Sequence, residues 1–382
     1  MSFDLMTLNT WGTPYAKHHP ERMTAIAQRL LQLAPDVIAL QEMYREPDRQ
    51  LMITALRDTY PYRHYFASCL LGSGLMTFSR YPIVDAVFYR FRMGGKPEKF
   101  WRGDYFAGKG IGLARIDLPD GPINVFNCHT HAQYDHAIDN EYAAYTQSNL
   151  YEAARIVYNH QALPCVLCGD LNTRPDRLGY RLITTLAHLD DAYTLAHPDD
   201  KNGFTFHTDN PYVSTESERL DYILLHGLRA DAIEITMTER LTNNGPAQAY
   251  SDHYALKATI TPANTQSQTH TDAACAALEE LLRNLRAAQA DVALERQRVN
   301  NRSLLGFAAI GDSVLFTSSR RQSALVRQLS RFLFLGALIY GGVNAAHSFL
   351  SLRPRAATLD ALIAEVEHQI RARRVFNGTS CD

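Results

Sequence analysis

Read for the spacing of its apolar positions, the first 260 residues pass loosely back and forth between strands and amphipathic helices. Phe3–Asn9 reads as a strand, and from Glu21 to about Leu33 apolar residues recur at helical spacing. Val37–Gln41 is a short continuous apolar run of the kind buried on both faces. Further strands are predicted at 75–79, 111–117, 123–128, 165–168, 220–225 and 254–260, and helices at 48–57, 140–158 and 176–186. Many strands with fewer helices predict two packed sheets covered outside by helices.

The pattern changes after the polar stretch 261–270, which marks a boundary. Beyond it Leu278, Leu281, Leu285, Ala288, Val292 and Val299 repeat at helical spacing, with arginines on the other face. Residues 332–352 form an uncharged stretch of 21, against the roughly 20 needed to cross a bilayer. Residues 304–318 are apolar but shorter and carry Asp312. The expected organisation is a catalytic domain over 1–261, a linker and amphipathic helix over 262–302, a membrane-associated region of one or two passes over 303–352, and a polar tail over 353–382. Its last helix, 359–374, is expected to be solvent-exposed.

Composition sharpens this in three ways. An apolar content of 46% and a charged content of 20% suit a packed globular chain. Residues 1–261 carry 24 Lys+Arg against 30 Asp+Glu, a poor balance for binding nucleic acid, where affinity comes from neutralising phosphates. Residues 262–382 reverse the balance, 14 against 10, with arginine as the sole cation, and would suit an anionic lipid surface. Cys165 and Cys168 lie in an apolar strand run without a second ligand pair, and read as buried apolar residues. The opening Met-Ser-Phe-Asp-Leu enters a strand at once and lacks the features of a secretory signal, so a cytosolic setting is expected.

Candidate chemistry stands at strand ends. Asn9 closes the first strand and Glu42 follows Gln41. His129 follows an apolar run, Asp170 and Asn172 follow Val-Leu-Cys-Gly, Asp221 enters a strand, and Asp252 and His253 precede the last one. One such residue means little, because Asp and Asn commonly open turns. Repeated at so many strand edges, they predict one shared site at the rim of the sheets. Their types suit a phosphodiester. Glu42 is a natural ligand for magnesium, a hard cation that offsets charge on phosphate oxygens. His129 and His253 can exchange protons near neutrality, and Asn9 and Asn172 can donate to phosphate without adding negative charge.

Ordered motifs extend this reading. They include Leu8-Asn-Thr-Trp-Gly-Thr-Pro-Tyr15, Leu40-Gln-Glu42, Gly103-Asp-Tyr-Phe-Ala-Gly-Lys-Gly110, Cys128-His-Thr-His-Ala-Gln-Tyr134, Cys168-Gly-Asp-Leu-Asn172, Arg219-Leu-Asp-Tyr222 and Ser251-Asp-His253. Together they resemble the neutral sphingomyelinases and inositol phosphosphingolipid phospholipases C of the endonuclease/exonuclease/phosphatase (DNase I-like) superfamily. The resemblance spans about the first 260 residues. It implies a four-layer α/β sandwich with two inner β-sheets and a Mg2+-dependent phospholipase C acting on a membrane sphingolipid. It further implies His253 as general base oriented by Asp221, and His129 as leaving-group acid or phosphate donor. Asp170 and Asn172 would position water and phosphate, Asn9 would complete the site, Glu42 would bind the metal, and Asp252 would reach it or a second ion. Cys128, Thr130 and Gln133 stand where that group commonly has Thr, Leu and Glu, so local hydrogen bonding is expected to differ.

The resemblance also implies an intracellular, membrane-associated enzyme facing the cytosol, with an anionic lipid as activator and no nucleic-acid partner. A nucleic-acid endonuclease and a phosphoinositide 5-phosphatase are the alternatives on the same core. Asp104 and Lys109 read equally as a solvated loop or a pair near the site. His18 and His19 read as solvated, and Trp11 as core more readily than as a lipid contact.

Overall fold

Two six-stranded sheets lie face to face with helices outside them. The first runs in the order β11-β12-β1-β2-β4-β3, built from β1 (Phe3–Asn9), β2 (Val37–Gln41), β3 (Tyr62–Tyr65), β4 (Met76–Ser79), β11 (Leu228–Thr236) and β12 (Ala255–Pro262). The second runs β5-β6-β7-β8-β10-β9, from β5 (Ile83–Arg90), β6 (Gly110–Leu118), β7 (Gly121–His129), β8 (Cys165–Asp170), β9 (Asp190–Asp191) and β10 (Asp221–His226). This computed structural model describes residues 2–133, 142–200, 202–241, 248–263, 271–317 and 323–376. Most of the expected linker, 264–270, and the start of the helix expected at 140 lie outside them.

The period-2 geometry of strands explains the burial. In β1, Phe3 and Leu5 enter the core between the sheets, while Met6 and Leu8 face outward onto α1 (His19–Leu33). In β2, Val37 and Ala39 point inward, and Ile38 and Leu40 meet the helical layer of α1 and α2 (Glu46–Leu56), which is why that strand reads as continuously apolar. Over the second sheet, α3 (Ala143–Tyr158) packs on α4 (Leu178–Leu186), where Gly179 lets Leu150 approach closely. A short α5 (Ala192–Ala196) is capped by Asp191, which accepts from the backbone N–H of Tyr193 and Thr194. Helix, sheet, sheet and helix make the expected four layers.

The inward positions turn polar toward one end. Leu5, Thr7 and Asn9 follow one another on β1, and Val37, Ala39 and Gln41 on β2. Opposite them run Val125, Asn127 and His129 on β7, and Val166, Cys168 and Asp170 on β8. Antiparallel β10 runs the other way, Leu225 and Ile223 in the core and Asp221 at the same rim, beside Asp170 in register. Cys128, Cys165 and Cys168 are buried and free, and burial pushes the Cys165 and Cys168 thiols up to about 12.

Contacts divide the chain into Met1–Gly95 with Phe100–Leu278, and Lys96–Lys99 with Glu279–Asp382. The second unit is helical. In it α6 (Thr271–Thr317) runs beside α8 (Arg353–Phe376) through Glu279–Arg374, Arg286–Glu367 and Gln289–Asp360 contacts of 2.7, 2.7 and 2.5 Å. The last helix is therefore not wholly solvent-exposed. Leu359, Leu362, Val366 and Ile370 form a buried stripe at helical spacing, a signal masked in the sequence by the charges around it. Between them, α7 (Ala324–His347) meets α6 through small residues, with Ser303 donating to the Gly341 carbonyl at 3.0 Å. The helical run Leu325–Val375 is long and apolar enough to cross a membrane.

Candidate active site

Tight turns at the strand ends aim the polar residues inward. Trp11, Glu42 and Asn172 follow β1, β2 and β8 with φ of 48°, 60° and 44°, left-handed values rare for residues with a side chain. Gly169, just before Asp170, has φ 129°, and a Cβ there would lie 2.1 Å from the Cys128 carbonyl oxygen. That close approach of β7 and β8 sets His129 beside Asp170 in register.

All eight predicted residues meet at this rim. Asn9 Nδ2 donates to Asp170 Oδ2 at 2.9 Å, and the same oxygen lies 3.4 Å from His129 Nε2 and 3.9 Å from His253 Nε2. His129 Nε2 is 3.9 Å from Glu42 Oε1. His253 Nδ1 is 2.8 Å from Asp221 Oδ2. The Asn172 backbone N–H donates to Asp170 Oδ1 at 2.9 Å, and its side chain to the Thr130 carbonyl at 3.2 Å. Ser251 Oγ donates to the Asn9 carbonyl and lies 3.2 Å from Asp252 Oδ1, tying the turn before β12 to the end of β1.

Burial and like charges shape the titration. Burial, reinforced by Asp252, pushes the Glu42 carboxyl up to about 7, and burial pushes Asp170 up to about 6. Burial holds His129 well below the usual imidazole range, with Lys109 and His253 adding to the effect. Burial would also lower His253, but Asp221, Asp170 and Asp252 outweigh it and raise that imidazole well above its usual value.

Several residues prove more engaged than their local sequence suggests. Asp104 and Lys109 do not form a solvated loop: both are buried, with Lys109 Nζ 2.8 Å from Asp104 Oδ1 and donating to the Thr130 carbonyl at 3.0 Å. The Lys109 charge also bears on Glu42, His129 and Asp170. The pairing of opposite charges five residues apart in a Gly-rich loop was the available signal. His19 is likewise buried, its Nε2 2.6 Å from Asp48 Oδ2. Trp11 packs on Tyr212 at 4.9 Å and on the Arg22 guanidinium. Arg22 is fully buried and donates to the carbonyls of Thr10, Trp11, Lys17 and Tyr250, a role that nothing in its helix position announces. At the three altered motif positions, Cys128 is buried, Thr130 donates to the Leu171 carbonyl at 2.7 Å, and Gln133 donates to the Asn172 carbonyl at 3.2 Å.

The donor set fits a hard divalent cation. Among the described residues nothing hydrogen-bonds the buried Oε2 of Glu42, and Asp252 and Asp170 both disfavour its ionised form. A cation beside Glu42 and Asp252 would relieve both conditions. A second group, Glu98, Glu295 and His347 in the helical unit, also brings ligand atoms within 4.8 Å of one another. There Arg355, itself buried, lies 2.6 Å from Glu98 and 3.7 Å from Glu295, so a side chain already supplies the positive charge.

Residues 6–253 match the Endonuclease/Exonuclease/phosphatase family. Human sphingomyelin phosphodiesterase 2 is 33% identical over 285 residues, covering 70% of this chain and 67% of that protein. The inositol phosphosphingolipids phospholipase C of Saccharomyces cerevisiae is 30% identical over 321 residues, covering 71% and 66%. Among solved structures, beta toxin from Staphylococcus aureus with bound magnesium ions aligns with a TM-score of 0.55 at 16% identity, over 68% of this chain and 99% of that one. D. rerio TDP2 complexed with single strand DNA product aligns with a TM-score of 0.54 at 14% identity, again over 68% and 99%. These two likenesses speak to the fold. With two six-stranded sheets, the ordered rim motifs and a matched span that runs from β1 to His253, the chain belongs to the endonuclease/exonuclease/phosphatase family.

Proposed function

We propose that this chain is a magnesium-dependent phospholipase C that splits the phosphodiester of a membrane sphingolipid into ceramide and a phosphorylated head group. The chain is a phosphodiester hydrolase, and the names of its relatives direct the choice of substrate. The observation that carries the reading is the convergence of Glu42, His129, Asp170 and the His253–Asp221 pair, drawn from two sheets, on one rim.

Each side chain then has a task. Asp221 fixes the His253 ring so that Nε2 faces the rim and can take a proton from an attacking water. The carboxylates around His253 stabilise the imidazolium that results. His129 and Asn172 donate to phosphate oxygens or to the departing alkoxide, and Asn9 holds Asp170 in place. Glu42, with Asp252 beside it, would hold Mg2+, which when bound would supply Lewis-acid stabilisation of the charge that grows on phosphorus-bound oxygens.

Mass spectrometry of products from mixed sphingomyelin and inositol phosphosphingolipid, with and without Mg2+, tests this directly. Ceramide together with phosphocholine or phosphoinositol is the expected outcome. Free phosphate as the main product would assign a phosphatase instead. A nucleic-acid endonuclease on the same family core is the second reading, and cleavage of abasic DNA at rates equal to those on lipid would install it. The acidic balance of residues 1–261 weighs against it.

The uncharged stretch 332–352, within the helical run Leu325–Val375, anchors the enzyme in an intracellular membrane, with the catalytic unit toward the cytosol and the arginine-rich helices near anionic lipid that would activate it. Deleting residues 303–382 is expected to move the protein from the membrane pellet to the soluble fraction. Full-length protein already soluble without detergent would remove the anchor from this account.

A further inference from the structure

One layer beneath the rim, the apolar core between the sheets is interrupted by amides. Gln41 Nε2 donates across the gap to Asn127 Oδ1 at 2.7 Å and within its own sheet to Thr7 Oγ1 at 3.0 Å. Asn127 Nδ2 returns across the gap to the carbonyls of Leu40 and Met76 at 3.1 and 3.2 Å. Thr7, Gln41 and Asn127 are all fully buried. Leu40 and Met76 are register partners on β2 and β4, so one side chain of the second sheet grips two neighbouring strands of the first.

Stability alone does not call for this arrangement. A buried polar pair replaced by apolar groups of similar shape is often neutral, because the gain of the hydrogen bond is set against desolvation. What directional bonds add is register. Apolar faces tolerate small sliding, whereas a donor and acceptor at 2.7 Å do not. The residues concerned are also placed to transmit register. Gln41 precedes Glu42 in the chain, and Asn127 is two residues before His129 on the same face of β7. Glu42 follows β2 of the first sheet and His129 closes β7 of the second, so their 3.9 Å separation depends on how the sheets are registered, as does the 2.9 Å bond from Asn9 to Asp170.

We infer that Gln41 and Asn127 are positioning residues: their cross-sheet amide bridge holds the Glu42 half of the site at working distance from the His129–Asp170 half. Among the described residues, both side chains hydrogen-bond into the core, to each other and to Thr7, Ala39, Leu40 and Met76, and not to the rim residues. The inference rests on the phosphodiesterase reading and deepens it by naming what sets the spacing. A shift of about 1 Å between reacting groups is enough to cost on the order of 10²-fold in rate.

Two variants test it. Thr7→Val/Gln41→Leu/Asn127→Leu makes the layer apolar, and Gln41→Asn/Asn127→Gln keeps an amide pair of the same combined length. The apolar variant is expected to melt within about 5 °C of the unmodified protein and to bind Mg2+ within about threefold by calorimetry, yet to lose about 10²-fold in kcat with KM nearly unchanged. The exchanged pair is expected to recover kcat to within about tenfold of the unmodified protein. Full kcat in the apolar variant overturns the inference, as does a loss that merely follows the folded fraction seen by circular dichroism. An exchanged pair no better than the apolar variant overturns it too, and decides the matter if the apolar variant does not fold. Rates are read on both sphingomyelin vesicles and bis(4-nitrophenyl) phosphate. Turnover of the small diester without turnover of lipid would defeat the substrate reading while leaving the positioning test intact.

Discussion

Replacing His253 by glutamine is expected to lower kcat by about 10⁴-fold while leaving the protein folded, because the proposed general base is lost but a donor to Asp221 is kept. The distinction from alanine matters. Asp221 is fully buried, and its Oδ2 is held by His253 Nδ1 at 2.8 Å. Alanine would leave that carboxylate without its partner, so His253→Ala should lose the same activity and also melt at a lower temperature. Asp221→Asn gives a third signature. The carboxylates raise the His253 imidazole, so removing the largest of these influences lowers it, and the acid limb of the rate profile should move to lower pH as kcat falls. Purified His253→Gln turning over within about tenfold of the unmodified enzyme would take His253 out of the chemistry.

Glu42→Gln is expected to produce the other large loss, about 10³-fold at fixed Mg2+, since it deletes the charged ligand at almost constant shape. A second readout separates this from damage to the fold. Burial and Asp252 raise the Glu42 carboxyl to about 7, above its value in an unfolded chain. A group shifted in that direction supports the fold while protonated and withdraws that support as pH climbs from the usual carboxylate range through about 7. In the absence of metal, the unmodified protein should therefore lose melting temperature over that window, and Glu42→Gln should lose less, the remainder coming from Asp170 and His253, which are raised as well. Calorimetry at pH 5 and pH 8 in a chelator checks the pair. Equal pH dependence in the two proteins, with activity intact, would remove Glu42 from the metal site.

The central strands were legible because burial on both faces writes itself into composition. Val37–Gln41 and Cys165–Asp170 contain little but residues that suit a sheet interior. The strands that went unrecognised, β3, β5, β9 and β11, are the four sheet edges. Edge strands face solvent along one side and carry sequences such as Tyr-Arg-His-Tyr and Leu-Arg-Ala-Asp, whose polarity resembles that of a loop. The rim was legible for a related reason: a polar residue closing an apolar strand stands out. Lys109 and Asp104 could be read either as a pair or as a solvated loop, since their environment is made by chain segments far away in sequence. The 68–72 loop and the 103–109 loop meet through the Leu71 N–H to Phe106 carbonyl and Gly108 N–H to Gly72 carbonyl bonds, and only then does a Gly-rich loop become an interior. The amide bridge of Gln41 and Asn127 was hidden differently, because a partner 86 positions away cannot be inferred from either neighbourhood.

Arg22 sets a fixed positive charge beside the acidic rim. Its guanidinium is sealed from water and spends its donors on four backbone carbonyls, and among the described residues no carboxylate contacts it directly. That charge is felt by Asp252, Asp48 and Glu42. The enzyme thus carries a permanent counterion beside the proposed metal ligands, and loss of a cation from them would not leave the carboxylates to repel each other unopposed. With the proposed Mg2+ site at Glu42, an architecture of this kind would let cation occupancy govern turnover without governing whether the protein stays folded.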